Sequence, residues 1–435
     1  PVWHNHFSCP GRASLEMPPG EYPYLVARGP EYKEVEGTLT ITAGAVTRVS
    51  IQLERLADLA TEGWWSGELH IHRPVRQMEA IMAAEDLHVA PTLTWWNQQT
   101  AWDREPVPAE TVLRFGDARY CDILGGEDER GGGAFLFFRM QRPLPILQAE
   151  REYPCPLVYI EKAKNEQPQS WIDIEKPFWW DVPLVLAHGY GDSIGLANNH
   201  MHRTQMMNSE AWGRPRDPQY DSPVGNALYS QDIYYKLIDS GIRIGPSAGS
   251  ASGVMPHQVG YNRVYVHLDG PFDYAKWWDG LKAGRSFVTN GPLLCVEANG
   301  QRPGHVFQTK NGEHVDIDLT VKLSGNDRVP AIEIVRNGVV ERSVPAEVWG
   351  ESGALGRVSF DRSGWFLVRA IADNSETFRF ASTAPFYVEI GETKRRISKS
   401  AAQYFLQWVQ DRMASIQIED EAKREEVLAY HRKAE

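Results

Sequence analysis

Over the first 58 residues, apolar and hydroxyl-bearing side chains recur at every second place. Tyr22, Tyr24 and Val26 do so first, then Thr38, Thr40 and Thr42, then Val49, Ile51 and Leu53. This is the period of half-buried strands, and Pro18-Pro19-Gly20 and Ala43-Gly44 read as the turns between them. Residues 1–58 therefore predict a small β-sandwich. From about 59 to 290 the chain changes to short apolar runs interleaved with helical segments, among them Val89 to Thr94, Pro156 to Ile160, Val182 to Ala187, Ser193 to Ala197 and Arg263 to His267. Pro74 followed by Met78, Ile81 and Met82 predicts one helix, and Ser230 to Ile238 closed by Gly241 another. Such alternation predicts an α/β, barrel-like layer with functional groups at strand ends.

Residues 291–395 revert to strands. Val315, Ile317, Leu319, Val321 and Leu323 alternate strictly, and Asn337-Gly338 inside Ile332 to Val340 is a strong hairpin signal, so a second β-sandwich is expected. In residues 396–435, Phe405, Trp408, Val409, Arg412 and Met413 fall at helical spacing, and the charged run Glu419 to Glu426 leads into Val427-Leu428. A helical tail results, which docks on its own protein or on a twin subunit, leaving a homo-oligomer through this tail open.

Composition narrows the function classes. A chain of 435 residues with 42% hydrophobic and 23% charged residues is ordinary globular protein of about three domains. No stretch approaches the roughly 20 apolar residues of a membrane span. The net charge of -12 repels phosphate backbones, so no nucleic-acid partner is expected. Cys9, Cys121, Cys155 and Cys295 form no CxxC pair and read as buried thiols or one or two bridges. The start at Pro1, without a leader, suggests a processed or trimmed chain; a secreted or periplasmic location is the expectation, with a cytoplasmic one open. Eight of the 15 Trp lie in pairs, Trp64-Trp65, Trp95-Trp96, Trp179-Trp180 and Trp277-Trp278. Some Trp pairs line sugar or aromatic-ligand grooves, but at least half of these residues are expected in the core.

The sharpest chemical feature is Gly67-Glu68-Leu69-His70-Ile71-His72. Residues two apart on a strand share a face, so His70 and His72 can offer two imidazoles to one metal ion. Spacing alone leaves a pair of half-buried surface histidines equally open, because His4-His6 and His200-His202 repeat it. The wider segment Gly63 to His72 (GWWSGELHIH) resembles the first motif of the PHP (polymerase and histidinol phosphatase) metal-dependent hydrolase superfamily, in its carbaryl-hydrolase-like CehA/McbA branch, with Glu68 in place of the usual Asp. The resemblance runs over roughly residues 60 to 290, and Gly284 to Pro292 (GRSFVTNGP) resembles that branch's junction into a C-terminal β domain. It implies a distorted PHP-type β/α barrel holding divalent metal.

Asp122 to Glu127 resembles the family strand that ends in a metal-bridging Glu, which makes Glu127 a hard oxygen ligand; a solvated acidic turn is the alternative for Glu127, Asp128 and Glu129. Trp171 to Pro177 stands where many relatives end a strand in His-Pro. There Asp173 or Glu175 could ligate, and Lys176 could polarise a substrate oxygen, neutralise the carboxylates or form an ordinary ion pair. Asp192 to His200 resembles the next family strand, so His200 becomes the third imidazole, with Asp192, Asn198 and Asn199 in support and His188 a weaker candidate. Two departures matter. Thr94-Trp95-Trp96-Asn97 replaces Thr-Asp-His, and Gly249-Ser250-Ala251-Ser252-Gly253 replaces Gly-Ser-Asp-x-His, so several family ligands are gone.

The expected protein is thus a metal-dependent hydrolase with one Zn, Mn or Fe ion per chain, held by His70, His72, Glu127 and either His200 or Glu175. Asp192, Glu175 or a carboxylate beside Glu127 would act as general base, with Lys176 or Arg130 near the developing oxyanion. Trp95, Trp96, Asn198 and Asn199 would meet a neutral, ring-bearing ester, carbamate or glycosidic substrate. A metal-assisted polysaccharide lyase or glycosidase, and a non-catalytic glycan- or partner-binding protein on a degenerate PHP core, stay open.

Overall fold

The computed structural model describes residues 1–392 and 394–435. It is a mixed α/β molecule with eight α-helices and two large sheets. The first sheet has seven strands in the order Gly245–Ala248, Ser193–Ala197, Trp171–Ile174, Gly133–Phe138, Gly125–Arg130, Leu93–Trp96 and Gln99–Thr100. The regular strands do not close into a barrel. The extended segment 68–72 is hydrogen-bonded to the terminal strand Gly245–Ala248 and to Leu93–Trp96, last but one at the other side. Leu69 N donates to Ala248 O at 2.8 Å, and Leu93 N donates to Ile71 O at 2.7 Å. Leu69 and Ile71 are buried in the core, so the alternate residues His70 and His72 project to the opposite face.

Helices Val75–Glu85, Pro156–Glu166, Val182–Ala187, Gly225–Asp239 and Tyr274–Lys282 lie within the same part of the chain. The expected helices beginning after Pro74 and spanning Ser230 to Ile238 are present. Two of the apolar runs, Pro156 to Ile160 and Val182 to Ala187, are helical instead of extended. Each has Pro in its first turn, where the missing N–H costs nothing and φ is already helical.

The second sheet has nine strands, seven of them along its main path, and carries Trp64–Gly67, Arg263–His267 and Ser286–Thr289 alongside the C-terminal strands Phe380–Thr383, Gly364–Ile371 and Phe386–Ile390. It therefore continues across the expected boundary at 290/291. A three-stranded sheet, Leu293–Ala298, Val315–Ser324 and Ala354–Phe360, shares an apolar core with it through Ile317, Leu319, Ile334, Phe366 and Val368. Asn337 and Gly338, both at positive φ, turn the chain between Ala331–Arg336 and Val339–Pro345. The N-terminal sandwich expected over 1–58 is replaced by two separate hairpins, Val2–Trp3 with His6–Phe7 and Gly20–Val26 with Val35–Ile41, and Val49 to Leu53 forms no strand.

The tail forms helices Lys399–Ser415 and Glu421–Ala434, capped by the side chains of Ser398 and Asp420. Its apolar face is used within the chain. Trp408 is fully buried and donates Nε1 to Trp180 O at 3.0 Å, while Arg412 bonds Asp181 at 2.8 Å and Glu152 at 2.5 Å. All four cysteines are free thiols. Of the paired tryptophans, Trp64, Trp95, Trp179, Trp277 and Trp278 are core residues. No described helix is long and apolar enough to cross a membrane.

Candidate metal centre

His70, His72 and Glu127 converge on one point, with one donor atom from each within 4.8 Å of the others. His70 Nε2 and His72 Nε2 are 3.2 Å apart, and they lie 3.6 and 3.4 Å from the two oxygens of Glu127. A tetrahedron drawn with metal–ligand bonds of about 2.0–2.1 Å has edges of about 3.3 Å, so the imidazole pair matches one edge and each imidazole lies about an edge from one oxygen of Glu127, a donor set for one small divalent ion. The donor chemistry agrees, because two imidazoles and a carboxylate suit Zn, Mn or Fe. His70 Nδ1 faces Glu175 Oε1 at 3.2 Å. An Nδ1–H given to that carboxylate leaves Nε2 bare toward the centre, the tautomer a ligand needs.

The backbone beneath is tightly drawn in. His72 N donates to Ser252 O at 2.7 Å and Ala251 N to His70 O at 2.8 Å. A Cβ on Gly249 would stand 2.3 Å from His70 Cβ, and one on Gly253, at φ +109°, 2.6 Å from His72 main-chain atoms. Gly249 to Gly253, where the family motif carries ligands, thus serves here as a close-fitting support for the two histidines. Glu68 belongs to the same support. Its buried carboxylate accepts from Ser250 N at 2.6 Å and also from Ser250 Oγ and Gly260 N, and burial pushes its pKa up to about 8. It lies outside the three-donor cluster.

Burial also pushes His72 down to about 3 and holds Glu127 well above the usual carboxylate range. Trp96 pairs with Glu127 in the parallel register, so the two share a face, and its ring meets that of His72 edge-on at 5.5 Å. Trp95 pairs with Gly126 and faces the core. Its Nε1 donates to Leu124 O at 3.0 Å, and its ring lies where a Gly126 side chain would be. Glu129, two residues beyond Glu127 on the same face and exposed, is the carboxylate beside Glu127 that faces the centre, while Asp128 faces away and holds Arg130.

Other expected site residues are placed elsewhere. Asp192 lies before the strand Ser193–Ala197, at the end opposite His200, and its carboxylate holds Lys164 at 2.5 Å, Lys282 at 3.2 Å and Ile172 N at 2.9 Å. It is not a base for this centre. Arg130 is locked on the far face of its strand by both oxygens of Asp128, at 2.6 and 2.7 Å, and by Pro154 O. Asn198 closes a local turn through His200 N and Gly195 O, and Asn199 O accepts from His257 Nε2. Asp173 sits deeper, bonded to Ser193 and Ser247, and His188 meets Tyr430 O under the tail. His200 is buried against Phe178, outside the three-donor cluster but near enough to Lys176 and Glu175 for both to act on its ring. Glu175 and Lys176 are paired with each other. No protein-family model, curated protein or solved structure matches the chain.

Proposed function

We propose that the protein is a hydrolase of the PHP type that uses one divalent ion at His70, His72 and Glu127. The observation that carries this reading is the convergence of two imidazole nitrogens and a carboxylate at 3.2–3.6 Å spacings, all three side chains almost wholly enclosed. The Gly63 to His72 motif supports the family, as do the hydrogen bonds of segment 68–72 to Ala248 on the terminal strand and to Leu93 on the last strand but one at the other side of the seven-stranded sheet. A bound ion would supply a water of lowered pKa and polarise the scissile bond.

The chain's own groups do the rest. Glu175 fixes the His70 ring, and Trp96 packs on His72 at the rim. Glu129 shares the face of Glu127 and is open to water there, placed to take a proton from an attacking water. The Trp96 ring gives a neutral cyclic group a surface to pack on, which favours an aryl ester, carbamate or glycoside over a phosphate. A panel of aryl esters, carbamates, oligosaccharides and phosphomonoesters, each with and without chelator, tests this. Chelator-sensitive turnover of a neutral ring-bearing substrate is expected. Fast turnover of phosphomonoesters alone would return the protein to the phosphatase side of the superfamily.

A further inference from the structure

Lys176 follows the strand Trp171–Ile174, and its side chain is almost wholly enclosed. An ammonium group so far from water needs compensation. It donates to both oxygens of Glu175 and lies 4.6 Å from the centre of the Trp179 ring. Glu175 has further partners, Trp179 Nε1 at 2.7 Å on one oxygen and His70 Nδ1 at 3.2 Å on the other. A carboxylate has about four acceptor positions. Lysine fills two, indole one and imidazole one, so Glu175 keeps no lone pair for a metal ion.

We propose that the Lys176 ammonium is a built-in cation standing where a second metal ion would otherwise sit, so that this centre takes a single divalent ion. The proposal rests on reading His70, His72 and Glu127 as a metal centre. Around Lys176 are the groups that a second ion would use. Glu175 is in direct contact, and the charge of Lys176 also reaches Glu127, Glu129 and His200. With a neutral residue at 176, one acceptor position on each oxygen of Glu175 is released near enough to His200 for the two to interact, a hard donor set that suits Mn²⁺.

Elemental analysis after dialysis against excess Mn²⁺ tests this on the full chain. One manganese per chain is expected in the wild type, none in His70→Ala, and two in both Lys176→Met and Lys176→Gln, with melting curves confirming that each is folded. One manganese in the wild type and still one in the folded Lys176 variants overturns the lysine proposal alone. No manganese in the wild type overturns the metal-centre reading and the proposal with it. If the Lys176 variants do not fold, anomalous diffraction from wild-type crystals in excess Mn²⁺ decides. A single peak with Lys176 still on Glu175 supports the proposal, and a second peak beside Glu175 overturns it.

Discussion

His70 and His72 receive unequal help from their surroundings. His70 is oriented by a hydrogen bond to Glu175, whereas His72 Nδ1 is buried with no hydrogen-bond partner among the described residues, so packing on Trp96 is left to hold its ring. Glu175→Gln should therefore weaken metal binding roughly 10–100-fold, as loss of an orienting partner does, measured by competition with a chelating dye. The two adjacent tryptophans should separate. Trp95→Ala removes a core ring and should cost about 3–5 kcal/mol in denaturant unfolding; Trp96→Ala should cost far less and act on metal affinity or turnover. Equal effects of both variants on stability would contradict the assigned faces. Strand alternation made one of the pair a site residue, but which one depends on the register with Gly126 and Glu127, and register is a tertiary property. His70 and His72 were legible because alternate residues of an extended segment share a face, whereas Glu127, third in the strand Gly125–Arg130, was reached only through the motif it resembles. Asp192 was misjudged because position along a strand, at its start and not its end, decides whether a carboxylate reaches the site.

Among the elements, the helical tail has a structural task with consequences near the centre. Arg412 and His431 both meet Asp181, and Asp181 is two residues from Trp179, which bonds Glu175. Arg412 and Asp181 are almost fully enclosed. Arg412→Ala would leave Asp181 without its main counter-charge, at an expected cost of about 3–5 kcal/mol, because a buried charge stripped of its partner keeps its desolvation penalty. Chemical denaturation checks this, and a loss below 1 kcal/mol would mean that water reaches Asp181. The tail's own helices could be read from the spacing of Phe405, Trp408 and Val409. The runs Pro156 to Ile160 and Val182 to Ala187 could not, since five or six apolar residues in a row fit a buried strand and a buried helix alike.

For the whole molecule, buried ionisable groups set a pH window of stability. Burial pushes Glu85, Asp122 and Asp173 up to about 7, about 6 and about 7. Folded, these groups keep protons that the unfolded chain has released above its ordinary carboxyl range. Their contribution is full below that range and is lost as pH rises through 6 to 7. His88 and His257, pushed down to about 4 by burial, act in the other direction. Their contribution is full above the ordinary value of 6.5 and is lost as pH falls toward 4. The melting temperature of chelator-treated protein should therefore fall from pH 6 to pH 8, where the histidine contribution is already complete and the carboxyl contribution is lost. A steady rise from pH 6 to pH 8 would contradict this balance.

His70, His72 and Glu127 are proposed to hold one divalent ion. Elemental analysis of protein purified without added metal, wild type beside His70→Ala, tests it most directly. Close to one ion per wild-type chain, and almost none in a His70→Ala variant that still melts cooperatively, is the predicted result; a metal-free wild type, or full metal content in His70→Ala, would contradict it.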